Sequence, residues 1–430
     1  MTVTVVGGGL AGTEAAWALA ERGVDVTLCE MRPAVSTPAH QTGRLAELVC
    51  SNTFKSVDHT NAHGLLKAEL RELGSVLLPL ADAARVPGGS ALAVDRDVFS
   101  RLADEKLRAH PRITIRVGEV TTLPSPGIVA TGPLTSDHLA KAIAEQLGTG
   151  ALAFHDAIAP IISDDSLDHA QLFAASRYGK GGDDYLNAPM SREQYEAFID
   201  ALIAGDQFSG HDFDEVPYFE GCMPVEEMAR RGRDTPRFGP MKPVGLADPR
   251  TGREAHAVLQ LRREDAAGQM WNLVGCQTRL RIPEQRRVFS MVPGLGNAEF
   301  LRYGSIHRNS YLNSPATLAE GLTLRDDPHL FFAGQLTGVE GYTESLGTGL
   351  LAGINLARTL AGQPVMVPPP TTMLGGLYRY LRDADPSHFQ PMNANFGLLD
   401  PLPGKVKKDQ KREHLAARAL GDFHAWMAAL

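Results

Sequence analysis

Three glycines constrain this chain more tightly than any other feature. Gly7, Gly9 and Gly12, in Gly7-Gly8-Gly9-Leu10-Ala11-Gly12, follow the apolar run Val3 to Val6 and precede a helical pattern carrying Ala15, Ala18 and Leu19. A second run, Val24-Asp25-Val26-Thr27-Leu28-Cys29, stops at Glu30. Strand, glycine turn, helix and a second strand closed by an acid form a βαβ unit. Such glycines let a turn and a helix amino terminus approach a pyrophosphate, whose charge the helix dipole favours. The acid at the end of the second strand is placed to accept hydrogen bonds from a ribose.

Beyond this unit the pattern continues as α/β. The periodicity predicts helices over Ala62–Leu78 and Asp95–His110, a strand over Ile113–Val117, and a strand opening at Gly127. Residues 33–61, rich in Pro, Thr, Ser and Asn, read as an irregular loop. After about residue 150 the composition turns glycine- and charge-rich with short strands. A buried strand returns at Leu330-Phe331-Phe332-Ala333-Gly334-Gln335, followed by a glycine-rich loop and a helix from about Ser345 to Leu360. The tail holds Lys405, Lys407, Lys408, Lys411 and Arg412 before an amphipathic helix to Leu430. With 430 residues, two domains are the natural expectation.

Val129-Ala130-Thr131-Gly132 and Phe332-Ala333-Gly334-Gln335 resemble the second and third FAD-contact segments of the two-dinucleotide-binding-domain flavoproteins. The expected fold is therefore α/β: a Rossmann-like FAD-binding domain of that type, built from residues 1–150 and 316–430. An inserted α+β domain, 151–315, carries the substrate contacts. The FAD contacts are expected from Gly7, Gly8, Gly9, Leu10, Ala11, Gly12, Glu30, Arg32, Thr131, Gly132, Gly334, Gly338 and Gly347. No metal site is expected.

Four cysteines, Cys29, Cys50, Cys222 and Cys276, stand at irregular spacings. They form neither a disulfide framework nor a C-x-x-C redox pair, which points to a reducing cytoplasm and away from thiol–disulfide exchange. The first residues run straight into the glycine motif and read as a strand, not a signal peptide, and no apolar run reaches the roughly 20 residues of a membrane-spanning helix. Cys29, inside a strand, and Cys276, in an apolar run, read as small buried hydrophobes. Cys50 and Cys222 lie in polar loops, where a thiol is more often functional. Either would need cationic neighbours to lower its pKa.

Several motifs carry a closer likeness. They are the Gly7–Ala16 segment, Glu30-Met31-Arg32-Pro33, Cys50-Ser51-Asn52, Ala93-Val94-Asp95-Arg96, Gly239-Pro240-Met241-Lys242-Pro243-Val244-Gly245-Leu246 and Gly338-Val339-Glu340-Gly341-Tyr342. Together they resemble the folate- and FAD-dependent tRNA (uracil-5-)-methyltransferase (TrmFO) family along the whole chain, with Gly8 and Thr53 in place of that family's Ala and Ser. The related wobble-uridine modifier GidA/MnmG carries a further C-terminal helical domain that this chain is too short to hold. The resemblance implies methylation of carbon 5 of uridine 54 in the tRNA T-loop. Its carbon would come from 5,10-methylenetetrahydrofolate, and its reducing power from FAD reduced by NAD(P)H. Carbon 5 of uracil is a poor nucleophile until a thiolate adds at carbon 6. By resemblance Cys222 is that nucleophile, and Cys50 a base or flavin-adduct residue. Tyr342 is read as stacking on, or hydrogen bonding to, the flavin–uracil stack, and His307 as stacking a pterin.

The net charge of −8 argues against gross affinity for nucleic acid and leaves room for local basic patches. Arg230, Arg231, Arg233, Arg237 and Lys242 form one such group, Arg279, Arg281, Arg286 and Arg287 a second, and the tail a third. Arg230, Arg231, Arg237, Lys242, Lys405 and Lys408 are the expected tRNA contacts, with the target base flipped out of its stack. Two other readings stay open: an NAD(P)H-dependent flavin oxidoreductase acting on a small molecule, and an RNA-binding or wobble-uridine flavoprotein in which FAD is structural.

Overall fold

The computed structural model describes residues 2–37, 39–147, 152–208, 223–265, 267–387, 389–404, 406–407 and 410–429. Its first sheet runs Thr323–Leu324, Asp327–Phe332, Gly127–Val129, Thr2–Val6, Asp25–Glu30, Ile113–Val117. The last five of these strands are parallel, and Thr323–Leu324 is an antiparallel edge. The strands either side of Thr2–Val6 lead to opposite ends of the sheet, so the order reverses at that strand. Doubly wound sheets bind ligands at such a reversal, beyond the carboxyl ends of the strands, and the glycine turn emerges there.

The helix Leu10–Ala20 follows that turn and lies against the long helix Tyr342–Leu360. Their backbones nearly touch: a Cβ on Gly349 would stand 2.2 Å from the Ala11 carbonyl oxygen, and one on Gly353 would stand 2.5 Å from that of Ala15. Two small residues thus fix the distance between the glycine turn and the start of the second helix.

The second sheet is antiparallel, in the order Phe173–Ala174, Tyr185–Met190, Ala257–Arg263, Met270–Leu273, Ile161–Ser163, Phe300–Arg302. Leu259, Leu261, Leu273, Phe198 and Phe289 bury beneath it in an apolar core of their own. The paired strands Leu152–Ile158 and Ser305–Tyr311 carry the chain out to this sheet and back.

Three local expectations change. The helix expected over Ala62–Leu78 is two, Ala62–Glu72 and Leu77–Ala83, broken where Gly74 takes φ +94°. The loop 33–61 contains a strand, Thr53–Ser56, paired with Ala91–Val94. The late helix starts at Tyr342 rather than Ser345, so Tyr342 stands in its first turn.

Candidate active site

A groove crosses the carboxyl end of the first sheet in two connected lobes. One, of about 530 Å³, is lined by Gly7, Gly9, Glu30, Arg32, His40 and Thr131 among others. The second, of about 810 Å³, continues past Gly9, Leu10, Ala11, Thr131, Gly132 and Gly334 to Cys50 and Tyr342.

The groove floor suits a dinucleotide. The Leu10–Ala20 helix begins at Gly9 with no side chain capping it, and its first turn carries no acid. Its amide groups and positive dipole end are left to an anion. Gly9 has nothing within 4 Å of where a Cβ would stand, so a side chain there would enter the groove. Gly12 does the opposite work: a Cβ would lie 1.8 Å from the Gly7 carbonyl oxygen, so its hydrogen lets helix and strand pack. Gly8 faces away from the groove, its amide donating to Glu30 Oε2 at 2.8 Å.

Glu30 is buried and already well served. Oε1 accepts from the Arg32 amide and Nε, both at 2.9 Å, and Oε2 accepts from Gly8 and from Arg32 Nη2 at 3.1 Å. Burial raises its pKa, but the Arg32 bonds and charge outweigh that and hold the carboxyl below its usual range. A ribose hydroxyl arriving here shares the carboxylate with Arg32. Arg32 also donates to Glu47 at 3.0 Å, so it braces the lobe wall as well as lining it.

Gly338 and Gly347 are not among the residues lining the two lobes. Gly338, at φ +86°, gives space to Phe389, and Gly347 lies against Leu374 and Leu70.

At the far end stands a polar knot around Cys50. The Tyr342 hydroxyl accepts from the Cys50 and Ser51 amides, each at 3.0 Å, and donates to the Ser51 carbonyl at 3.0 Å. The Cys50 Sγ lies 3.1 Å from the same oxygen. The Tyr342 ring tilts against Phe54 at 5.7 Å between centroids. Its hydroxyl therefore organises the cysteine segment. Burial, then the Cys50 charge, push its pKa well above the ordinary value, so it stays protonated.

The second sheet reaches into this knot. Arg262 donates from Nε to Asn52 Oδ1 at 2.8 Å and from Nη2 to Ser51 Oγ at 3.0 Å. Asn52 in turn donates to the carbonyls of Val94 and Arg263. Arg96 pairs with Glu264 at 2.7 Å and points a further donor at the Leu48 carbonyl. Burial lowers the Arg96 pKa, but Glu264, with Tyr342 and Cys50, raises it further, so a lasting cation stands beside Cys50. Cations of this kind favour a thiolate.

Other expected site residues scatter. Cys222, Lys405 and Lys408 lie outside the described residues, as does the His307 side chain, whose backbone belongs to Ser305–Tyr311. Cys29 and Cys276 are buried, and burial raises the pKa of both, leaving Cys276 an inert thiol. Arg230 and Arg237 each already hold an acid, Glu227 at 3.4 Å and Asp234 at 3.1 Å. Arg231 stands at the end of the helix Val225–Arg231, and Lys242 is half-buried.

Sequence reasoning missed His40, which lines both lobes. Burial, then the Arg32 charge, push its pKa down to about 4, so it is neutral in ordinary buffers. It lies in the loop read as irregular, and a lone histidine there gives no signal. Arg262 was equally silent, one of four consecutive charged residues at the end of its strand. Arg96 stood in a quoted motif without a role.

Residues 2–364 match the family described as glucose inhibited division protein A. Curated relatives are closer still: the chain is 57% identical to methylenetetrahydrofolate--tRNA-(uracil-5-)-methyltransferase TrmFO of Geobacter sulfurreducens, covering 100% of this chain and 99% of that one. This chain belongs to the TrmFO branch of the glucose inhibited division protein A family. The TrmFO of Thermus thermophilus is 53% identical over 100% of this chain and 97% of its own. Among solved structures, Aquifex aeolicus GidA in its form II crystal superimposes with a TM-score of 0.72 at 15% identity, over 99% of this chain and 73% of that one. The family resemblance and the α/β flavoprotein fold expected from the sequence are both borne out.

Proposed function

We propose that this chain methylates carbon 5 of uridine 54 in the T-loop of tRNA, with 5,10-methylenetetrahydrofolate as carbon donor and FAD reduced by NAD(P)H. The observation that carries the reading is the full-length identity to TrmFO proteins, whose name states a folate-dependent tRNA uracil methylation. The groove supports it, because an uncapped helix terminus, a bare Gly9 and Glu30 suit a dinucleotide whose far end would reach Cys50. Gly7, Gly9, Leu10 and Ala11 would hold the pyrophosphate, Glu30 and Arg32 the adenosine ribose, and Thr131, Gly132 and Gly334 the stretch toward Cys50. Bound FAD supplies a hydride.

The chain's own residues do the rest. The Cys222 thiolate adds to carbon 6 of uracil, makes carbon 5 nucleophilic toward the one-carbon unit, and is expelled from carbon 6 once the carbon-5 proton has gone. Cys50, held by Tyr342 and facing the Arg96 cation, removes the carbon-5 proton. His307 stacks the pterin. Arg230, Arg231, Arg237, Lys242, Lys405 and Lys408 meet the phosphate backbone, and the enzyme works in the cytoplasm.

A 5-fluorouridine T-arm mini-helix tests the carbon-6 addition. The wild-type protein should form a covalent adduct, and Cys222→Ala should not while keeping its flavin. Equal trapping by Cys222→Ala moves the nucleophile to another residue, with Cys50 next in line. No adduct from flavin-loaded wild type contradicts the carbon-6 chemistry.

A further inference from the structure

Tyr178 is built in a way that burial does not explain. The residue is 57% exposed, yet its backbone takes φ +59°, a region that bulky residues rarely adopt. Contacts from both sides hold it there. The Tyr178 amide donates to the Gly245 carbonyl at 3.1 Å. The neighbouring Arg177 donates from Nη1 to the carbonyls of Lys242 at 2.6 Å and Val244 at 2.7 Å, and from Nη2 to Gln260 Oε1 at 3.0 Å. Gly245 lies under the ring, since a Cβ there would stand 2.5 Å from Tyr178 Cδ1. An exposed aromatic is thus carried on a backbone held at a strained position, with its ring resting on Gly245.

Its place relative to the active site is set by the other end of the same loop. Tyr185 is the cross-strand partner of Arg262, the arginine that holds Ser51 and Asn52. The Tyr185 hydroxyl donates to the Gly88 carbonyl at 3.1 Å, and Asp184 accepts from the Gly89 amide at 2.7 Å. The loop is therefore bolted to the turn before Ala91–Val94, the strand that pairs with the segment following Cys50. Lys180, exposed between the two anchors, is close enough for its charge to act on Asp58.

From this geometry we infer that the loop 177–185 is a docking element for RNA beside the Cys50 site, with Tyr178 stacking an unpaired base and Lys180 meeting a phosphate. A rigid aromatic with one face supported and a flexible cation within the same turn is the combination that takes single-stranded nucleic acid. Fixing the ring in advance removes the ordering cost of binding, which gives the backbone strain a use. The inference rests on the reading of the substrate as tRNA, and it adds RNA contacts beside Lys242, at one end of the basic group that charge alone suggests.

The test is the affinity of a labelled T-arm mini-helix at several salt concentrations, with thermal melting alongside. Tyr178→Gly should weaken binding roughly 10-fold or more without changing the salt slope, because a stack carries no counterions. Its melting temperature should not fall, since glycine adopts the positive φ freely. Tyr178→Phe should bind like wild type, and Lys180→Ala should flatten the slope of log affinity against log salt by about 0.7 to 0.9. Unchanged affinity in Tyr178→Gly overturns the inference. So does a lowered melting temperature, which makes the tyrosine structural, or a raised KM for NADPH or folate with RNA affinity intact, which gives the ring to a small molecule. If flavin-loaded wild type does not bind the mini-helix, the tRNA reading itself falls and the inference with it.

Discussion

At the scale of single residues, two glycines of one motif separate folding from binding. Gly9→Val puts a branched side chain into open groove, so the protein should emerge colourless and melt at the temperature of flavin-free wild type. Gly12→Ala drives a methyl group onto the Gly7 carbonyl and should cost about 1–3 kcal/mol of stability before any ligand is considered. Flavin absorbance and melting curves for the two variants check both outcomes. Tyr342→Phe takes away the acceptor shared by the Cys50 and Ser51 amides. Losing it should cost about 1–3 kcal/mol and lower methylation more than flavin content. His40 sets a pH dependence. Its folded pKa is about 4 against 6.5 unfolded, so its contribution is whole above 6.5 and is lost as pH falls toward 4, where the unfolded chain takes up the proton first. Melting temperature against pH should therefore fall less steeply over that window for His40→Asn than for wild type.

At the scale of elements, what could be read in the sequence was whatever local periodicity and turn chemistry control. The opening strand, helix and strand came out as expected, because Gly7, Gly9 and Gly12 act within one turn. The break after Glu72 did not, since Leu65, Leu66, Leu70, Leu73 and Leu77 keep a helical rhythm across Gly74. What starts the second of those helices is remote: the Glu14 carboxyl accepts from the Val76 and Leu77 amides, and burial raises its pKa to about 7. Nothing near residue 76 announces that partner. The Cys50 knot was half legible for the same reason. Cys50 and Tyr342 carried motif signals, but the hydroxyl that joins them spans 292 positions, and Arg262 reaches in from another sheet. Arg262→Leu should loosen the knot, lowering kcat for methylation roughly 10-fold while the protein stays yellow. A variant with full kcat would show that the tie between the sheets does not position Cys50.

At the scale of the whole molecule, a parallel sheet presents a dinucleotide groove, and an antiparallel sheet grips the cysteine at the end of it. The acidic net charge leaves the RNA surface to local features, and several arginines counted as basic in the sequence are held by acids in the fold. The central claim is that this arrangement delivers one carbon to one uridine of tRNA. The most direct measurement incubates the purified protein with unmodified tRNA, labelled methylenetetrahydrofolate and NADPH, then maps the label. The expected result is label in 5-methyluridine at position 54 alone, dependent on both co-substrates. Label at a wobble base, or none from folded, flavin-loaded protein, would contradict the account.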